Sequence, residues 1–286
     1  MKIVIGIVTH QRSERLLSLL KQLAVQLKGT DQVWVLENGS YQLSKKQIKS
    51  IHSHISLFHL PTASIPKARN TLFKKAKKSA SVLVFIDDDV SLPKNWLLKI
   101  RRAIKQAEKN KAEVVQGNFH SLPQQNIYAQ TTEILNQLWL NVNLLPNSLT
   151  RIIDTKHVIF LLKYFRKRRT LFDEKMVYAS DIAASAELIA TLKIKILFLP
   201  KLLVFHHERS SWWAFTKHRF RLSFAFRRVD PQYPYFFQSA TTKQKFGAIW
   251  SELPTNVFGK VWMSLNLCLI YGAVFVNTSI TSLLRD

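Results

Sequence analysis

Cysteine and acidic residues are both scarce in this sequence of 286 residues. Its one cysteine, Cys268, excludes an intramolecular disulfide bond and is typical of a reducing compartment. Because there is no CxxC pair and no cluster of cysteine and histidine, we predict no structural zinc site. The apolar run at the N-terminus is short and lacks a small-residue cleavage site, so we also predict no signal peptide.

The shortage of acid leaves a large positive charge on the chain. It carries 42 Lys and Arg residues against 18 Asp and Glu, a formal net charge of +24 at pH 7. A charge of this size favours polyanionic partners, namely nucleic acid, anionic lipid or phosphorylated substrates. The apolar content of 47% nevertheless indicates a folded chain with a substantial core.

Three adjacent carboxylates stand out against this background. Asp87, Asp88 and Asp89 follow an apolar run at residues 82–86. Adjacent anions repel one another unless a cation neutralises them, and a hard divalent cation takes a few protein carboxylates together with phosphate oxygens of a substrate. The triplet therefore indicates either a metal site for a nucleotide diphosphate or an acidic turn that caps the next helix.

The first part of the chain alternates between strand and helix patterns. Apolar runs and segments of helical periodicity follow one another at residues 2–9, 13–27, 32–40, 55–61, 65–80 and 82–86. This order predicts an α/β fold with a mostly parallel central sheet flanked by helices. Ligands of such sheets bind beyond the carboxyl ends of the strands. Thr9, Glu37, Asn38 and the three aspartates all lie at such ends, so we expect them to share one site.

Several stretches together resemble the inverting family-two glycosyltransferases, which have the GT-A fold. IPKARNTLFKKA, followed by VLVFIDDDVSLPKNWL, is similar to the family's ARN helix and to the strand that ends in its Asp-x-Asp motif. The opening IVTHQRSERLLSLLKQL and the turn VLENGS are similar to the family's first strand, first helix and V-D-D-G-S turn. The segment from LFDEKMVYASD to VFHHERSSWW resembles the stretch that carries the catalytic carboxylate. The resemblance covers roughly residues 2–228 and implies a Rossmann-like GT-A sheet.

By position, the resemblance implies a site for Mn²⁺ or Mg²⁺. The first aspartate of the motif, which contacts the nucleotide, falls on Asp87, and the last, which holds the metal, falls on Asp89. The histidine of the V-x-H motif falls on His206, as a third metal ligand or as a contact to the diphosphate. A shift of register would give this role to His207, and a purely structural role for His206 is also open.

The resemblance also implies contacts to a nucleotide sugar. They fall on Thr9, Arg12, Glu37, Asn38, Arg69, Asp87, Asp88, Arg209 and Arg219. Glu37 matches the acid that contacts the base or the ribose, Arg69 lies near the diphosphate, and the last two arginines could clamp the pyrophosphate. The plainer alternatives are an ordinary turn residue for Glu37, a solvated helical charge for Arg69, and contact with an anionic membrane for the last two arginines.

Asp181 matches the catalytic base of the family. An inverting transfer needs one carboxylate to take the proton of the acceptor hydroxyl, and the leaving nucleotide needs no acid because the metal neutralises its charge. The chain departs from the family pattern here, because Ser180 stands where the family commonly has a second acid. A helix cap is the alternative role for Asp181, and a catalytically inactive GT-A scaffold is the alternative for the chain.

The composition changes after residue 207. Residues 208–250 interleave aromatic side chains with cations, which suits a membrane interface or stacking on single-stranded nucleic acid. Residues 257–284 are apolar with one charge, and could cross a membrane, lie in its interface, or pack on the protein. We favour association with an anionic membrane surface, either peripheral or through a single C-terminal span.

We therefore predict a GT-A catalytic domain at residues 1–207, with a nucleotide-binding half to about residue 120 and an acceptor half over 121–207. A membrane-proximal basic and aromatic segment (208–250) and an apolar C-terminal helix (251–286) follow it. The predicted activity is the metal-dependent, inverting transfer of a sugar from a nucleotide diphosphate, UDP by analogy with the family, to a hydroxyl of a lipid-linked or cell-envelope glycan.

We expect this activity at the cytoplasmic face of the cell membrane, with no nucleic acid partner. The alternative of another class is a basic protein that binds nucleic acid. It explains the charge of the chain but not the three adjacent aspartates.

Overall fold

A computed structural model describes the chain at residues 1–11, 13–39, 42–122, 126–176, 178–208, 210–229, 233 and 236–283. Its strands are β1 (Ile3–Thr9), β2 (Gln32–Asn38), β3 (Ile55–Leu60), β4 (Val82–Asp87), β5 (Val90–Ser91), β6 (Val114–Ser121), β7 (Leu144–Leu145), β8 (Leu149–Thr150), β9 (His157–Leu161) and β10 (Ile196–His206). Its helices are α1 (Ser13–Ala24), α2 (Lys45–Ile51), α3 (Ile65–Ser79), α4 (Trp96–Lys109), α5 (Ile127–Val142), α6 (Ser180–Leu192), α7 (Trp212–Val229), α8 (Thr242–Glu252) and α9 (Val257–Leu283).

The strands form one sheet in the order β3-β2-β1-β4-β9-β6-β10-β8-β7, and β5 pairs with β10. Strands β3, β2, β1 and β4 are parallel, whereas β9 runs antiparallel to β4 and β6. The carboxyl ends of the four parallel strands therefore meet at one edge of the sheet. The register pairs Thr9 with Glu37 and Glu37 with His59 at this edge. The predicted α/β sheet flanked by helices is confirmed.

Both faces of the sheet are covered by apolar helix faces. The first side packs against α1, α2 and α4, and the second against α3 and α6. Strand β1 supplies Ile3, Ile5 and Ile7 to the first side and Val4 to the second, as the alternation of side chains in a strand requires. Gly6 also faces the second side, where an added Cβ would lie 3.1 Å from the ring of Phe85.

The chain divides into two compact units. The first, which we call the sheet unit, comprises residues 1–120 and 144–207, and the second, the helical unit, comprises 121–143 and 208–286. The boundary after residue 207 agrees with the change in composition. Residues 121–143, which the sequence prediction assigned to the acceptor half of the catalytic domain, belong to the helical unit, where α5 packs with the C-terminal helices.

The helical unit has a small core of its own. Apolar residues of α5, α7, α8 and α9 form it, with Phe215, Ile249 and Leu267 among the most deeply buried. The predicted C-terminal helices are therefore present, both in the basic and aromatic segment and in the apolar segment that follows it. Within the described residues, none of the helices combines the length and the apolar character that crossing a membrane requires. The single C-terminal span that the sequence left open is not found there.

Candidate active site

Two aspartates and a histidine cluster at the carboxyl end of β4. One oxygen of Asp87, one oxygen of Asp89 and one ring nitrogen of His206 all lie within 4.8 Å of one another. The Nε2 atom of His206 is 3.0 Å from Oδ1 of Asp89. Strand pairing explains this approach, because β5 begins directly after the aspartates and pairs antiparallel with the end of β10, with Val90 opposite His206.

The same strand pairing decides between the two adjacent histidines. His206 points to the aspartates, whereas the ring of His207 lies 3.5 Å from the hydroxyl of Ser91. The backbone N–H of His207 donates to the carbonyl oxygen of Asp89 at 2.9 Å and holds the two strands together. Burial and then the charge of Arg15 lower the pKa of His207. The structure thus brings His206, and not its neighbour, into the cluster.

The donor set fits a hard divalent cation. Asp89 and His206 are buried, while the Asp87 side chain is 30% exposed. Two carboxylates and an imidazole leave further coordination positions for phosphate oxygens or water. A cation there would also relieve the repulsion between the adjacent carboxylates. Asp87, Asp89 and His206 would therefore hold the predicted Mn²⁺ or Mg²⁺.

Asp88 has a different environment from its two neighbours. Its carboxylate accepts a hydrogen bond of 2.6 Å from the hydroxyl of Thr9, and both side chains are buried. This bond joins the ends of β1 and β4 beneath the cluster. Thr9 and Asp88 therefore lie at the carboxyl edge of the sheet and are bonded to each other, and their contact with a nucleotide stays a prediction.

Glu37 and Asn38 support the turn that follows β2. The carboxylate of Glu37 accepts the backbone N–H groups of Gln42 and Leu43 at 2.9 and 3.1 Å and lies 3.0 Å from Nδ1 of His59. The side chain of Asn38 accepts the N–H of Ser64, the N-cap residue of α3, at 2.7 Å. Both residues lie at the predicted edge of the sheet; Asn38 orients the start of α3, and Glu37 holds the segment before α2. Their contact with a nucleotide stays a prediction.

The turn itself requires glycine. Gly39 has a φ angle of +73°, and an added Cβ would lie 2.7 Å from Cβ of Ala63. Both the left-handed backbone and the close approach of the two chain segments disfavour any larger residue.

Helix α3 connects the metal cluster with the segment before Asp181. The guanidinium of Arg69 lies 3.3 Å from Oδ1 of Asp87 and 5.7 Å from the ring centre of Phe172. The next residue, Asn70, is buried; it donates to the carbonyl of Phe172 and the carboxylate of Glu174 and accepts the N–H groups of Leu171 and Phe172. The ARN sequence thus fixes the path of the chain that leads to α6.

Asp181 lies in the first turn of α6. The helix begins after Ala179, which has a φ angle of +56° and caps nothing with its side chain. One oxygen of Asp181 accepts the N–H of the adjacent Ile182 at 3.0 Å, and the other is 3.4 Å from the hydroxyl of Thr155. The helix-cap alternative therefore accounts for only one of the two oxygens.

The electrostatic surroundings of Asp181 suit a base. Burial of its carboxyl and, second, the negative charge of Asp154 raise its pKa above the ordinary value, while the cations of Arg69 and Lys156 act in the opposite direction. A raised pKa makes a carboxylate a stronger proton acceptor, provided that it remains ionised at working pH. Arg69 links the two parts of the site, because it interacts with both Asp181 and Asp87.

Sequence reasoning missed the loop before β9. Here Asp154 pairs with the ammonium group of Lys156 at 2.8 Å, and its backbone N–H donates to the side chain of Gln116 at 2.7 Å. The hydroxyl of Ser185 accepts the N–H of Ile153 at 2.7 Å, which ties the loop to α6. Residues 124–169 carry no motif that signals this role. The opposite charges of Asp154 and Lys156, two positions apart, were the one available sign.

Three other arginines, Arg12, Arg209 and Arg219, were predicted to contact the nucleotide. Arg12 and Arg209 lie outside the described residues. Arg219 is buried in the helical unit, where its guanidinium donates to the carbonyl of Thr132 at 3.2 Å and lies 5.7 Å from the ring centre of Phe215. The predicted clamp on the pyrophosphate by Arg209 and Arg219 stays a prediction.

The order of these elements along the chain identifies the family. Residues 4–181, from β1 to the candidate base, match the glycosyl transferase family 2. The chain belongs to this family. None of the curated proteins matches it by sequence.

Solved structures with the same fold include glycosyltransferases. The mannosyltransferase PcManGT from Pyrobaculum calidifontis, in complex with GDP-Man and Mn²⁺, is 13% identical with a TM-score of 0.59 over 93% of this family-2 chain and 79% of its own. TarS 1-349 from S. aureus, in complex with UDP, is 16% identical with a TM-score of 0.55 over 87% and 69%. GalNAc-T7 with UDP, GalNAc and Mn²⁺ is 14% identical with a TM-score of 0.58 over 81% and 48%. At these identities the likeness shows the GT-A fold alone.

Proposed function

We propose that this family-2 glycosyltransferase moves a sugar from a nucleotide diphosphate to a hydroxyl group of a lipid-linked or cell-envelope glycan, with inversion at the anomeric carbon. The observation that carries the proposal is the cluster of Asp87, Asp89 and His206 at the carboxyl edge of the sheet, with Arg69 between it and the candidate base Asp181. A diphosphate-binding metal site and a base are the two parts that such a transfer needs.

The proposed cofactor is Mn²⁺ or Mg²⁺, with Mn²⁺ first. An imidazole ligand disfavours Mg²⁺, which prefers oxygen ligands in strict octahedral geometry. Once bound, the metal would neutralise the charge that develops on the leaving nucleotide diphosphate. The chain contributes orientation: Arg69 lies 3.3 Å from the carboxylate of Asp87, and the hydrogen bond from the N–H of His207 to the main-chain carbonyl of Asp89 fixes the backbone that carries the second ligand.

The proposed donor is a UDP-sugar. TarS has been solved with UDP and with UDP-GlcNAc, and GalNAc-T7 with UDP, whereas PcManGT was solved with GDP-Man. UDP is therefore the first nucleotide to test and GDP the second. Thr9, Glu37 and Asn38 lie at the edge of the sheet where the nucleotide is expected.

The proposed base is Asp181. Its carboxylate takes the proton of the acceptor hydroxyl as the oxygen attacks the anomeric carbon and the bond to the diphosphate breaks. A single displacement of this kind inverts the anomeric centre. Thr155 orients one carboxylate oxygen and the N–H of Ile182 the other, so that the base has a defined direction.

We also propose that the enzyme works at the cytoplasmic face of the cell membrane. The single cysteine is typical of a reducing compartment, and a net charge of +24 favours an anionic lipid surface.

The test of the activity is release of the nucleotide from a panel of UDP- and GDP-sugars in the presence of Mn²⁺, Mg²⁺ or a chelator. Asp181→Asn should lower turnover by about 100-fold or more while donor binding, followed by thermal shift, is retained. Asp173→Asn, an exposed carboxylate on the preceding loop, is the matched control and should remain active. Full turnover by Asp181→Asn would exclude its role as base, and a native chain that binds no sugar nucleotide would be an inactive scaffold.

A further inference from the structure

The last helix, α9, has apolar residues on two opposite sides. On the inner side, Met263, Leu267 and Ile270 are buried against α5, α7 and α8. On the other side the large side chains are exposed and also apolar. These side chains, which we call the outer face of α9, are Val257, Phe258, Val261, Trp262, Leu265 and Leu269. Their spacings of three and four residues place them along one side of the helix.

The exposure of this outer face is large for apolar side chains. Phe258 is 85% exposed and Leu269 is 71% exposed. Each of the six side chains of the outer face keeps more than a third of its surface exposed. A contiguous apolar patch on a folded protein marks an interaction surface, whereas single exposed apolar residues are common and carry no such meaning.

Tryptophan side chains surround the outer face. Trp262 belongs to it and donates its indole N–H to the hydroxyl of Tyr128 at 3.4 Å. Trp212 donates its indole N–H to the side chain of Asn266, and its ring lies 6.2 Å from that of Trp213, which is 64% exposed. A tryptophan whose N–H is bonded and whose ring is exposed is typical of the boundary between headgroups and acyl chains.

The exposed charged side chains in the described part of the helical unit are mostly cations. The ammonium group of Lys260 donates to the carbonyl of Trp250 at 2.7 Å, at the N-terminal end of the outer face. Lys217 and Arg221 on α7 and Lys243 on α8 are exposed. In the described part of the helical unit the one exposed carboxylate is Glu252. An exposed apolar strip in a unit whose exposed charges are mostly cationic has the character of a surface that meets anionic lipid.

Charge also distinguishes among the possible occupants. A second copy of the chain would bring two net charges of +24 together, which opposes association. Nucleic acid would use the cations and the aromatic rings but has no use for exposed valine and leucine. A bilayer that contains anionic lipid satisfies both the cations and the aliphatic side chains.

We propose that the outer face of α9 inserts into the interface of an anionic bilayer, with the helix parallel to the membrane plane. The described helices include none that could cross a bilayer, and a helix that lies in the interface does not need that length. Val257, Phe258, Val261, Trp262, Leu265 and Leu269 would enter the acyl boundary while the cations of α7 and α8 meet the headgroups. The inference is independent of the proposed activity, since it rests on the helical unit and its test needs no turnover.

Flotation of the full chain with lipid vesicles tests the proposal. Vesicles of phosphatidylcholine alone are compared with vesicles that contain about 30% phosphatidylglycerol. The native chain should partition onto the anionic vesicles, and Leu265→Ser combined with Leu269→Ser should lower the partition coefficient at least about tenfold. Val25→Ser is the matched control, because Val25 is an apolar residue of the sheet unit with the same 85% exposure as Phe258.

A second measurement uses the only cysteine. Cys268 is exposed and adjacent to Leu269, so a nitroxide attached to it reports directly on this side of α9. On anionic vesicles the label should become more accessible to oxygen, which concentrates in lipid, and less accessible to a water-soluble nickel chelate.

Three results would overturn the proposal: no partition of the native chain, equal partition of the double serine variant with its circular dichroism unchanged, or a nitroxide that stays in water on bound protein. Sedimentation identifies the alternative occupant. If the native chain is a dimer that the double serine variant splits, and neither binds vesicles, the outer face meets a second copy.

Discussion

The two units of this protein differ in how they carry charge and apolar surface. The sheet unit holds 32 of the Lys and Arg residues and 13 of the Asp and Glu residues, a net charge of +19, whereas the helical unit holds 10 and 5, a net charge of +5. The helical unit instead exposes apolar and aromatic side chains, above all on the outer face of α9. The larger net charge and the outer face of α9 thus lie in different units of the chain.

This difference between the units changes the interpretation of the positive charge of the chain. The sequence analysis inferred an affinity for polyanions from the net charge of the whole chain and did not assign it to one region. Most of the net charge belongs to the unit that holds the candidate metal site, where it would favour the approach of the proposed diphosphate substrate. What distinguishes the helical unit is its exposed apolar surface. Variants that affect one unit and spare the other test this division.

The largest effect is expected from loss of a metal ligand in the sheet unit. Asp89→Asn keeps the size of the side chain but removes a buried negative charge 3.0 Å from His206. We expect turnover to fall by about 100-fold or more and the thermal stabilisation by Mn²⁺ to disappear. Calorimetric titration with Mn²⁺ and an assay of nucleotide release measure the two effects.

The triplet itself offers the matched control. Asp88→Asn removes a charge from the adjacent position, but the amide oxygen can still accept the hydrogen bond from Thr9. This variant should keep its Mn²⁺ stabilisation. If Asp88→Asn lost the metal as completely as Asp89→Asn, the assignment of separate roles within the triplet would be wrong.

The next effect is an acid sensitivity of the sheet unit, and it depends on His157. Burial lowers the pKa of this histidine to about 4, although the carbonyl of Asn118 and the charge of Asp154 oppose the shift. Its Nε2 accepts the indole N–H of Trp96 at 3.1 Å, and its Nδ1 is 3.2 Å from the carbonyl oxygen of Asn118. These contacts fit the neutral ring, because a protonated Nε2 would face another donor.

The direction of the pH effect follows from the difference in the pKa of His157 between the unfolded and the folded chain. In the unfolded chain the ring binds a proton near its ordinary pKa of about 6.5, whereas in the folded chain it does so only near 4. The contribution to stability is therefore complete above pH 6.5 and is lost as the pH falls toward 4, by about 3 kcal/mol. Urea unfolding of the native chain and of His157→Gln at several pH values isolates this loss. Parallel pH curves for the two proteins would contradict it.

The sequence predicted those parts of the site that lie at the ends of strands. A strand that ends in three aspartates places them at the edge of a parallel sheet, so Asp87 and Asp89 could be predicted as candidate metal ligands from the sequence. The choice between His206 and His207 required the pairing of β5 with β10, because one residue of register reverses the direction of the side chain. A strand of two residues is too short to show this register in a sequence.

Contacts between distant segments could not be predicted in the same way. Periodicity shows which face of a helix is apolar but not which part of the chain covers it, and α5 packs with helices that follow it by about 70 residues or more. The exposure of the outer face of α9 could not be predicted for the same reason. The sequence of an apolar helix shows the same pattern whether one side of the helix or both sides are covered. The loop that holds Asp154 beside α6 is irregular, so no periodic pattern in the sequence indicated its position.

The smallest effect concerns the loop before β9, which sequence reasoning missed. It tests whether the charges of this loop set the pKa of Asp181. Asp154→Asn removes a negative charge near Asp181 and leaves Lys156 without its carboxylate partner. Both changes lower the pKa of Asp181, so the base ionises at lower pH. The acid limb of the profile of turnover against pH therefore moves to lower pH. Lys156→Met removes a cation, raises the pKa of Asp181 and moves the acid limb to higher pH. Each shift should be on the order of 0.5–1 pH unit.

A purely structural role for this loop would lower turnover without moving the limb, so the profile distinguishes the two explanations. The double variant Asp154→Asn with Lys156→Met should lie near the native profile, since the two changes oppose each other. Lys175→Met, an exposed cation on the segment before α6, is the control and should not move it. Shifts in the same direction for both single variants would mean that Asp181 is not the group that titrates, and the base of this transferase would have to be sought elsewhere in the sheet unit.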